Sequence, residues 1–481
     1  MPVEHPLITP PERPKVLIVG AGLGGLTLAI LLEKAGVPYE VYDRVAEIKP
    51  LGSALSLGHN VAPLFQQIGI YEEFVELGTK RHGIDNYNEN RQLEFSLDLR
   101  PLGQMGGFDG YIISRSTLYD LLHRQVPAEK IHLGKRLLSL KQNEHGVQIH
   151  FADRTVVEGD ILVGADGAYS GVRQSLYQNL KKEGQLPSSD DGALPFSCIC
   201  LVGQTTPLDP EKYPELLDDI CHFRSVIAEE KPYSWSSLTT KNNIYCWGVI
   251  QYLDEGSSKD NDSFRNSEWG PEAAQTMCKE VRNFPLPGGV NNDLTMGDLI
   301  DNTLPQYISK VMLEEKVFDT WYYGRTVLIG DACHKIHPAS GVGAVHAMQD
   351  AVALANWISV LNTTTIEAAE KIFEEYKAER FPVVKAAFNN GRGLSQITAR
   401  DLKARIIRYI TKNMPSWLWR IMLRRMAESR PQVSFLPEVK DGGTVPPKYQ
   451  PSLAKTLAIH RARANKEELI ELDYSPNVQR G

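Results

Sequence analysis

The chain has 481 residues, 42% of them hydrophobic and 23% charged, which suits a soluble globular protein of two or three folding units with a sizeable core. Its formal net charge of −7 gives no basic excess, so no nucleic-acid partner is expected. The six cysteines form no C-x-x-C pair and read as buried, reduced thiols of a cytosolic protein rather than a zinc site or a disulfide scaffold.

In chain order, the proline-rich MPVEHPLITPPERPK has no apolar run and does not read as a secretory signal. Val16 to Leu32 carries no charge and approaches the length of a membrane span, but the glycines inside it favour another reading. Lys15 to Val19 is a β-branched run suited to a buried parallel strand. It leads into Gly20-Ala21-Gly22-Leu23-Gly24-Gly25, a helical stretch from Leu26 to Ala35, and a second strand, Val37 to Tyr42, closed by Asp43. In this G-x-G-x-x-G arrangement Gly20 permits the tight turn, Gly22 lets the backbone approach a pyrophosphate, and Gly25 lets helix and strand pack closely. The helix N-terminus offers free N–H groups to phosphates. Asp43, 18 residues after Gly25, is placed to accept hydrogen bonds from a ribose with a free 2′-OH, as in FAD or NAD.

Three further motifs follow, each weak by itself. Arg115 opens a helix running to His123. Asp160 to Gly164 is a strand turning at Asp166-Gly167, with Ser170 and Arg173 beyond, although Asp-Gly after a strand is commonly only a turn. Val327 to Ile329 is a buried strand ending in Gly330-Asp331-Ala332-Cys333-His334. Pro338, Gly341 and Gly343 lead into a helix from about Ala344 to Leu361, whose N-terminus is a second anion site.

Taken in order, Gly20/Gly22/Gly25, Arg115, Asp166-Gly167 and Gly330 to His334 with Pro338, Gly341 and Gly343 resemble the class A flavoprotein monooxygenases, the family of para-hydroxybenzoate and salicylate hydroxylases. The likeness is nearest to fungal enzymes that oxidise terpenoids and polyketides, and Tyr376 to Pro382 matches a Y-x-x-x-R-x-P segment of the same family. The resemblance implies an α/β fold: a Rossmann-like, glutathione-reductase-like FAD/NAD(P)-binding domain, an antiparallel-sheet substrate domain and C-terminal helices. The expected FAD domain comprises 14–82, 108–178 and 317–390; the substrate domain 83–107 and 179–316; and 391–481 a helical region with an extended tail.

The resemblance also implies roles. Asp43 would hold the adenosine ribose, Arg115 the ribose or pyrophosphate region, and Asp331 the ribityl chain. Gly343 and Ala344 would place N–H groups beside the flavin pyrimidine edge, and Asp166 and Gly167 would support the pyrophosphate and the nicotinamide nucleotide. Gly52-Ser53-Ala54-Leu55 stands where the family has roughly G-A-G-I near the flavin, and Gly341-Val342-Gly343-Ala344-Val345 where it has G-Q-G-A-N. Asp43 replaces the usual Glu. Gln349 replaces the usual acid before Asp350, a change expected to matter only to surface charge.

The implied activity is an FAD-dependent monooxygenase. NADPH or NADH reduces FAD, O2 adds at the flavin C4a, and the hydroperoxide passes one oxygen to a small hydrophobic or aromatic substrate by hydroxylation or epoxidation. A non-oxygenating FAD reductase or dehydrogenase and a flavin-binding protein without turnover remain open.

Ser197 to Gln204, Ser234 to Thr240 and Asn243 to Leu253 read as strands of the substrate half. Trp235, Tyr245, Trp247 and Tyr252 are either core fillers or cavity walls, and His222, Arg224 and Tyr233 are candidates for orienting substrate. No general base stands out. His334, His337 and His346 are close in sequence, but no metal is expected.

Residues 400 to 427 carry eight basic side chains against Asp401, with Leu402, Ile406, Ile410, Trp417 and Ile421 interleaved and Pro415 between two helices. Such a pair lies on an anionic membrane or packs on the body with its basic face solvated, and packing is preferred. The expectation is a mainly cytoplasmic protein whose membrane contact, if any, is reversible and peripheral. Residues 431 to 452, with five prolines, are expected to run extended over the surface before a last helix from Leu453 to Leu472. The oligomeric state is not legible.

Overall fold

The computed structural model describes residues 13–47, 52–192, 194, 196–229, 231–253, 271–337, 341–397 and 402–474; residues 1–12, Pro338 and residues 398–401 lie outside it. Val16–Val19 is the middle of a six-stranded sheet, parallel to Tyr39–Tyr42 on one side and Ile161–Gly164 on the other. Thr326–Leu328 joins beyond Ile161–Gly164 and Ile131–His132 beyond Tyr39–Tyr42, both parallel. The antiparallel Tyr322–Tyr323 forms one edge. All four residues of Val16–Val19 are buried, as a strand covered on both faces requires.

The register decides where the chemistry sits. Val19 pairs with Tyr42 and with Gly164, and Gly164 pairs with Leu328. The carboxyl ends of these strands are therefore level. The glycine turn, Asp43, Asp166-Gly167 and Gly330-Asp331 all emerge along one edge, where open parallel sheets bind ligands.

Two helices back this edge, Leu23–Ala35 and Gly343–Ser359, each starting near the residue expected. Small residues let them approach. A Cβ on Gly24 would lie 3.2 Å from the Ala347 Cβ, and one on Gly330 2.9 Å from the same atom.

The second layer is a seven-stranded sheet in the order Ser309–Glu314, Phe196–Gln204, Ile244–Tyr252, Tyr233–Thr240, Phe223–Ile227, Gly83–Tyr87 and Leu93–Asp98. It is antiparallel except where Phe223–Ile227 runs parallel to Gly83–Tyr87. Side chains alternate across it. Leu201, Trp235, Tyr245, Trp247 and Val249 enter one core with Ala274, Met277 and Val281 of the Pro271–Val281 helix. Leu238 and Cys246 point the other way, to Ile112 and Ala54. Three of the four strand aromatics are thus core residues on the face away from Ala54, and Tyr252 is on the other.

Beyond the Ile366–Ile397 helix come two helices, Leu402–Lys412 and Ser416–Ala427, separated at Pro415. The following segment is extended, but it does not merely cross the surface. Val433 and Ser434 are buried, and Asn356 of the Gly343–Ser359 helix donates to the Gln432 carbonyl and accepts from Ser434 N. The last helix, Pro451–Tyr474, then packs on Gly343–Ser359.

Gly25 and Gly22 separate a packing requirement from a binding one. A Cβ at Gly25 would sit 1.9 Å from the Gly20 carbonyl oxygen, whereas one at Gly22 has nothing within 4 Å and keeps a φ of −77°. Gly25→Ala is expected to lower apoprotein stability by about 1–3 kcal/mol through overpacking. Gly22→Ala should leave the apoprotein melting temperature nearly unchanged while weakening FAD binding. Differential scanning fluorimetry with and without FAD distinguishes the two.

Candidate cofactor site

The glycine turn is braced by Asp43. Its carboxylate accepts from Ala21 N at 2.7 Å and Val45 N at 3.0 Å, holding the end of the second strand against the loop. Gly20 has a φ of +110°, and its N–H donates to the Tyr42 carbonyl. Helix Leu23–Ala35 begins at Gly22 with no side-chain cap, leaving N–H groups free toward the groove. Val342, before Gly343–Ser359, is likewise uncapped by a side chain. Nothing lies within 4 Å of where a Cβ would stand at Gly22, Gly167, Gly341 or Gly343.

Arg115 enters from the Arg115–His123 helix, capped by Ser114. Its N–H bonds to the Ser53 carbonyl, and its side chain lies on Gly52, where a Cβ would meet the arginine Cδ at 2.6 Å. Arg115 is solvent-exposed yet hemmed in by protein, the situation of a side chain lining a deep cleft. Desolvation lowers its pKa, and the Asp331 carboxylate opposes that shift. The Asp331 carboxylate makes no hydrogen bond to another described residue. Ala54 lies on the Ala54–Leu57 strand, paired with Ser114.

Asp166 accepts from Val172 N at 3.2 Å, while its Oδ1 is buried without a partner. Burial raises its pKa against the hydrogen bonds it receives. Arg173 joins this turn to the next motif, donating to Ala168 O at 2.6 Å and Ala332 O at 2.7 Å with its guanidinium over Phe318.

Beneath Gly330-Asp331 lies a network that the sequence motifs do not reveal. Asp350, fully buried, accepts from Gly330 N at 3.0 Å, His334 Nε2 at 2.5 Å and Arg380 Nε at 2.7 Å. Burial alone would raise its pKa, but facing His334 and Arg380 it stays well below the usual carboxylate range. Arg380 also donates to His346 Nδ1 at 3.0 Å. Gln349 is buried and bonds Asn60 O and Ser429 Oγ, so it is not the surface residue expected.

Cys333, His334 and Asp350 bring potential ligand atoms within 4.8 Å of one another. The Arg380 guanidinium bonded to the carboxylate disfavours a further cation there, and Cys333 Sγ faces the Leu328 and Gly330 carbonyls. The other proposed polar residues are engaged elsewhere. Arg224 pairs with Glu215 at 2.8 Å, Tyr233 meets Phe284 edge to face, and His222 bonds Asp218 at 2.6 Å.

The residues fit FAD. Open backbone at four glycines, two helix N-termini with unsatisfied donors, an unpartnered Asp331 carboxylate and a buried Asp166 oxygen suit a long ligand with a pyrophosphate and many hydroxyls. Together with the parallel sheet and the attached second sheet, they define an FAD-dependent oxidoreductase. The FAD binding domain family matches residues 13–191 and 295–391, and the chain belongs to that family, among the class A FAD-dependent monooxygenases.

It is 29% identical over 400 residues to the FAD-dependent monooxygenase ptmM of Penicillium ochrochloron, covering 80% of this chain and 89% of the relative. It is 28% identical over 448 residues to ausM of Emericella nidulans, covering 89% and 88%. The fold resembles that of HpxO from Klebsiella pneumoniae, solved with FAD and uric acid, with a TM-score of 0.68, 21% identity, and coverage of 89% of this chain and 98% of that one.

Two measurements test this site. Asp331→Ala should weaken FAD binding by roughly 10- to 100-fold, the loss of charge-assisted hydrogen bonds worth about 1.5–3 kcal/mol, with little change in the apoprotein melt. Asp350→Asn should instead destabilise the fold by about 3–5 kcal/mol, because it leaves Arg380 buried without its carboxylate.

Stability should also depend on pH. Burial lowers the pKa of His59 and His337 to about 4 and that of His346 to about 3, from 6.5. The unfolded chain then takes up protons first as pH falls below 6.5, so stability is full above that value and declines toward pH 4. Each group contributes up to about 1.4 kcal/mol per pH unit. The melting temperature should drop between pH 7.5 and 5.5, and less steeply in His59→Gln.

Proposed function

We propose that the protein uses NADPH or NADH and molecular oxygen to insert one oxygen atom into a small hydrophobic or aromatic substrate, by hydroxylation or epoxidation. The other oxygen atom leaves as water and the nicotinamide is oxidised. Bound FAD supplies the electron transfer and oxygen activation. The chain's residues hold the flavin, orient the substrate and exclude water. Gly22, Gly343 and Ala344 offer backbone N–H groups to the phosphates and the ring, while Asp331, Asp43 and Arg115 bind ribityl and ribose hydroxyls. Asp166 and Gly167 support the pyrophosphate and the nicotinamide nucleotide.

One observation carries the substrate class. Part of the face of the seven-stranded sheet toward the Ala54–Leu57 strand is apolar: Phe223, Leu238 and Cys246, joined by Cys221 of the neighbouring Ile220–Cys221 strand, meet Ile112 and Ala54. Such a wall favours an apolar reactant and keeps water from the reacting centre. At its margin Arg81 donates to Ser56 while its Nε is buried without a partner. We assign it to an oxygen substituent of the substrate. The relatives' names as FAD-dependent monooxygenases support the same reaction. We place the reaction in the cytoplasm, with reversible membrane contact; among the described residues no helix is long and apolar enough to cross a membrane.

The test is oxygen uptake by the FAD-loaded protein with NADPH or NADH and a panel of phenols and prenylated compounds. Substrate-dependent uptake, with label from ¹⁸O2 in the product, is the expected result. NAD(P)H oxidation under nitrogen with an added acceptor, and no label in product, would make it a dehydrogenase. FAD binding with neither reaction would leave a protein without turnover.

A further inference from the structure

Helices Leu402–Lys412 and Ser416–Ala427 show apolar stripes to solvent. On the first, Ile406, Tyr409 and Ile410 are exposed at i, i+3, i+4 spacing, Tyr409 at 69%. On the second, Trp417 and Ile421 are exposed four residues apart, Trp417 at 63%. Apolar residues at these spacings ordinarily mark the buried face of a helix.

The second helix already has its packed face. Leu423 and Ala427 are buried against Leu99, Leu102 and Val445, and Trp419 Nε1 donates to Asp98 O at 2.8 Å. Trp417 and Ile421 lie two residues from Trp419 and Leu423, roughly 200° around the axis, on the far side. Their exposure is therefore not the leftover of a loosely placed helix.

Charge gives the patch its partner. Residues 402 to 427 hold seven basic and no acidic side chains in a chain whose net charge is −7. Arg405, Lys412, Arg420, Arg424 and Arg425 make no ion pair with another described residue. A tryptophan, a tyrosine and isoleucines set among arginines and lysines are the composition of a surface that sits at an anionic lipid interface.

The geometry points to the exposed stripes of these two helices as a docking surface for an anionic membrane. The surface stands on its own exposure and charge, while its use, admitting a hydrophobic substrate from the bilayer, rests on the proposed oxygenase reaction. A structural link to the site exists. The Met426 carbonyl accepts from buried His59 at 2.9 Å, and Ser429 bonds Gln349 of the cofactor helix. His59 lies two residues past the Ala54–Leu57 strand, whose Ala54 lies in the apolar wall. The end of the Ser416–Ala427 helix is thereby tied to the segment that follows the Ala54–Leu57 strand.

The experiment is co-sedimentation of the full-length, FAD-loaded protein with vesicles of phosphatidylcholine alone or mixed with phosphatidylserine. Pelleting with the mixed vesicles at low salt, fading at high salt and absent with phosphatidylcholine alone, is expected. Replacing Arg420, Arg424 and Arg425 together by Gln should lower partitioning roughly 100-fold. Tyr409→Ser with Trp417→Ser should weaken binding even at low salt. FAD content should stay unchanged in both variants, because these side chains touch none of the cofactor residues.

No binding to the mixed vesicles at low salt overturns the proposal. So does concentration-dependent self-association in sedimentation velocity that the Tyr409/Trp417 variant abolishes while vesicle binding persists, since the face would then join two copies of the chain. Sedimentation needs no turnover, so docking can fail while oxygen uptake succeeds, and the reverse.

Discussion

A single buried carboxylate fixes the flavin edge of this protein. Asp350 has no access to water and accepts from Gly330 N, His334 and Arg380. A buried charge is tolerated only when its partners are close and well aimed. Here those partners come from the strand-end turn, the segment that follows it, and a helix thirty residues further on. Asp350 thus determines where Gly330 turns, and the turn determines where Asp331 stands. Arg380 passes the constraint to His346 and Gln349, and Gln349 passes it to Asn60 and Ser429. The two sides of the flavin groove and the C-terminal segment share one polar framework beneath them.

The opposite half of the groove is set by contact between backbones. Gly25 and Gly20 meet so closely that no side chain fits between them, which brings the first helix down onto its strand. The second cofactor helix is drawn in by Ala347, which touches the positions of both Gly24 and Gly330. Two uncapped helix N-termini then face one groove at the level ends of parallel strands. The positive ends of their dipoles and their free N–H groups favour an anionic ligand before any side chain is considered. Arg115 and Asp331 bring opposite charges to the same groove, near enough for the carboxylate to act on the guanidinium.

The antiparallel sheet divides its work between two faces. One carries the large aromatics and a buried Glu215–Arg224–Tyr245 cluster that ties it to its own helices. On the other, Phe223, Leu238 and Cys246 close over Ala54 and Ile112. The C-terminal residues act as a strap. Their extended part is threaded against the Gly343–Ser359 helix, and the Ser416–Ala427 helix before it is tied to His59.

What the sequence alone determined was local. Each glycine turn follows directly on its strand, so Gly20 to Gly25, Asp166-Gly167 and Gly330-Asp331 announce themselves through short spacings, and strand and helix limits came within a few residues. The resemblance across those motifs pointed to the family because their order is itself information. The tertiary structure decided the rest. Strand periodicity shows that Trp235 and Leu238 face opposite ways but not which way the flavin lies, so only the fold chose between core and cavity wall and placed Trp235, Tyr245 and Trp247 in a core. Gln349, read as surface, is buried because a strap some eighty residues later packs over it. Asp350 and Arg380 lie thirty residues apart, and only folding makes them an ion pair. The apolar residues of 402 to 427 read as packing residues because amphipathic spacing has the same form whether the partner is a protein core or something outside it. That difference belongs to the neighbours a helix finds in three dimensions, which its own residues do not encode.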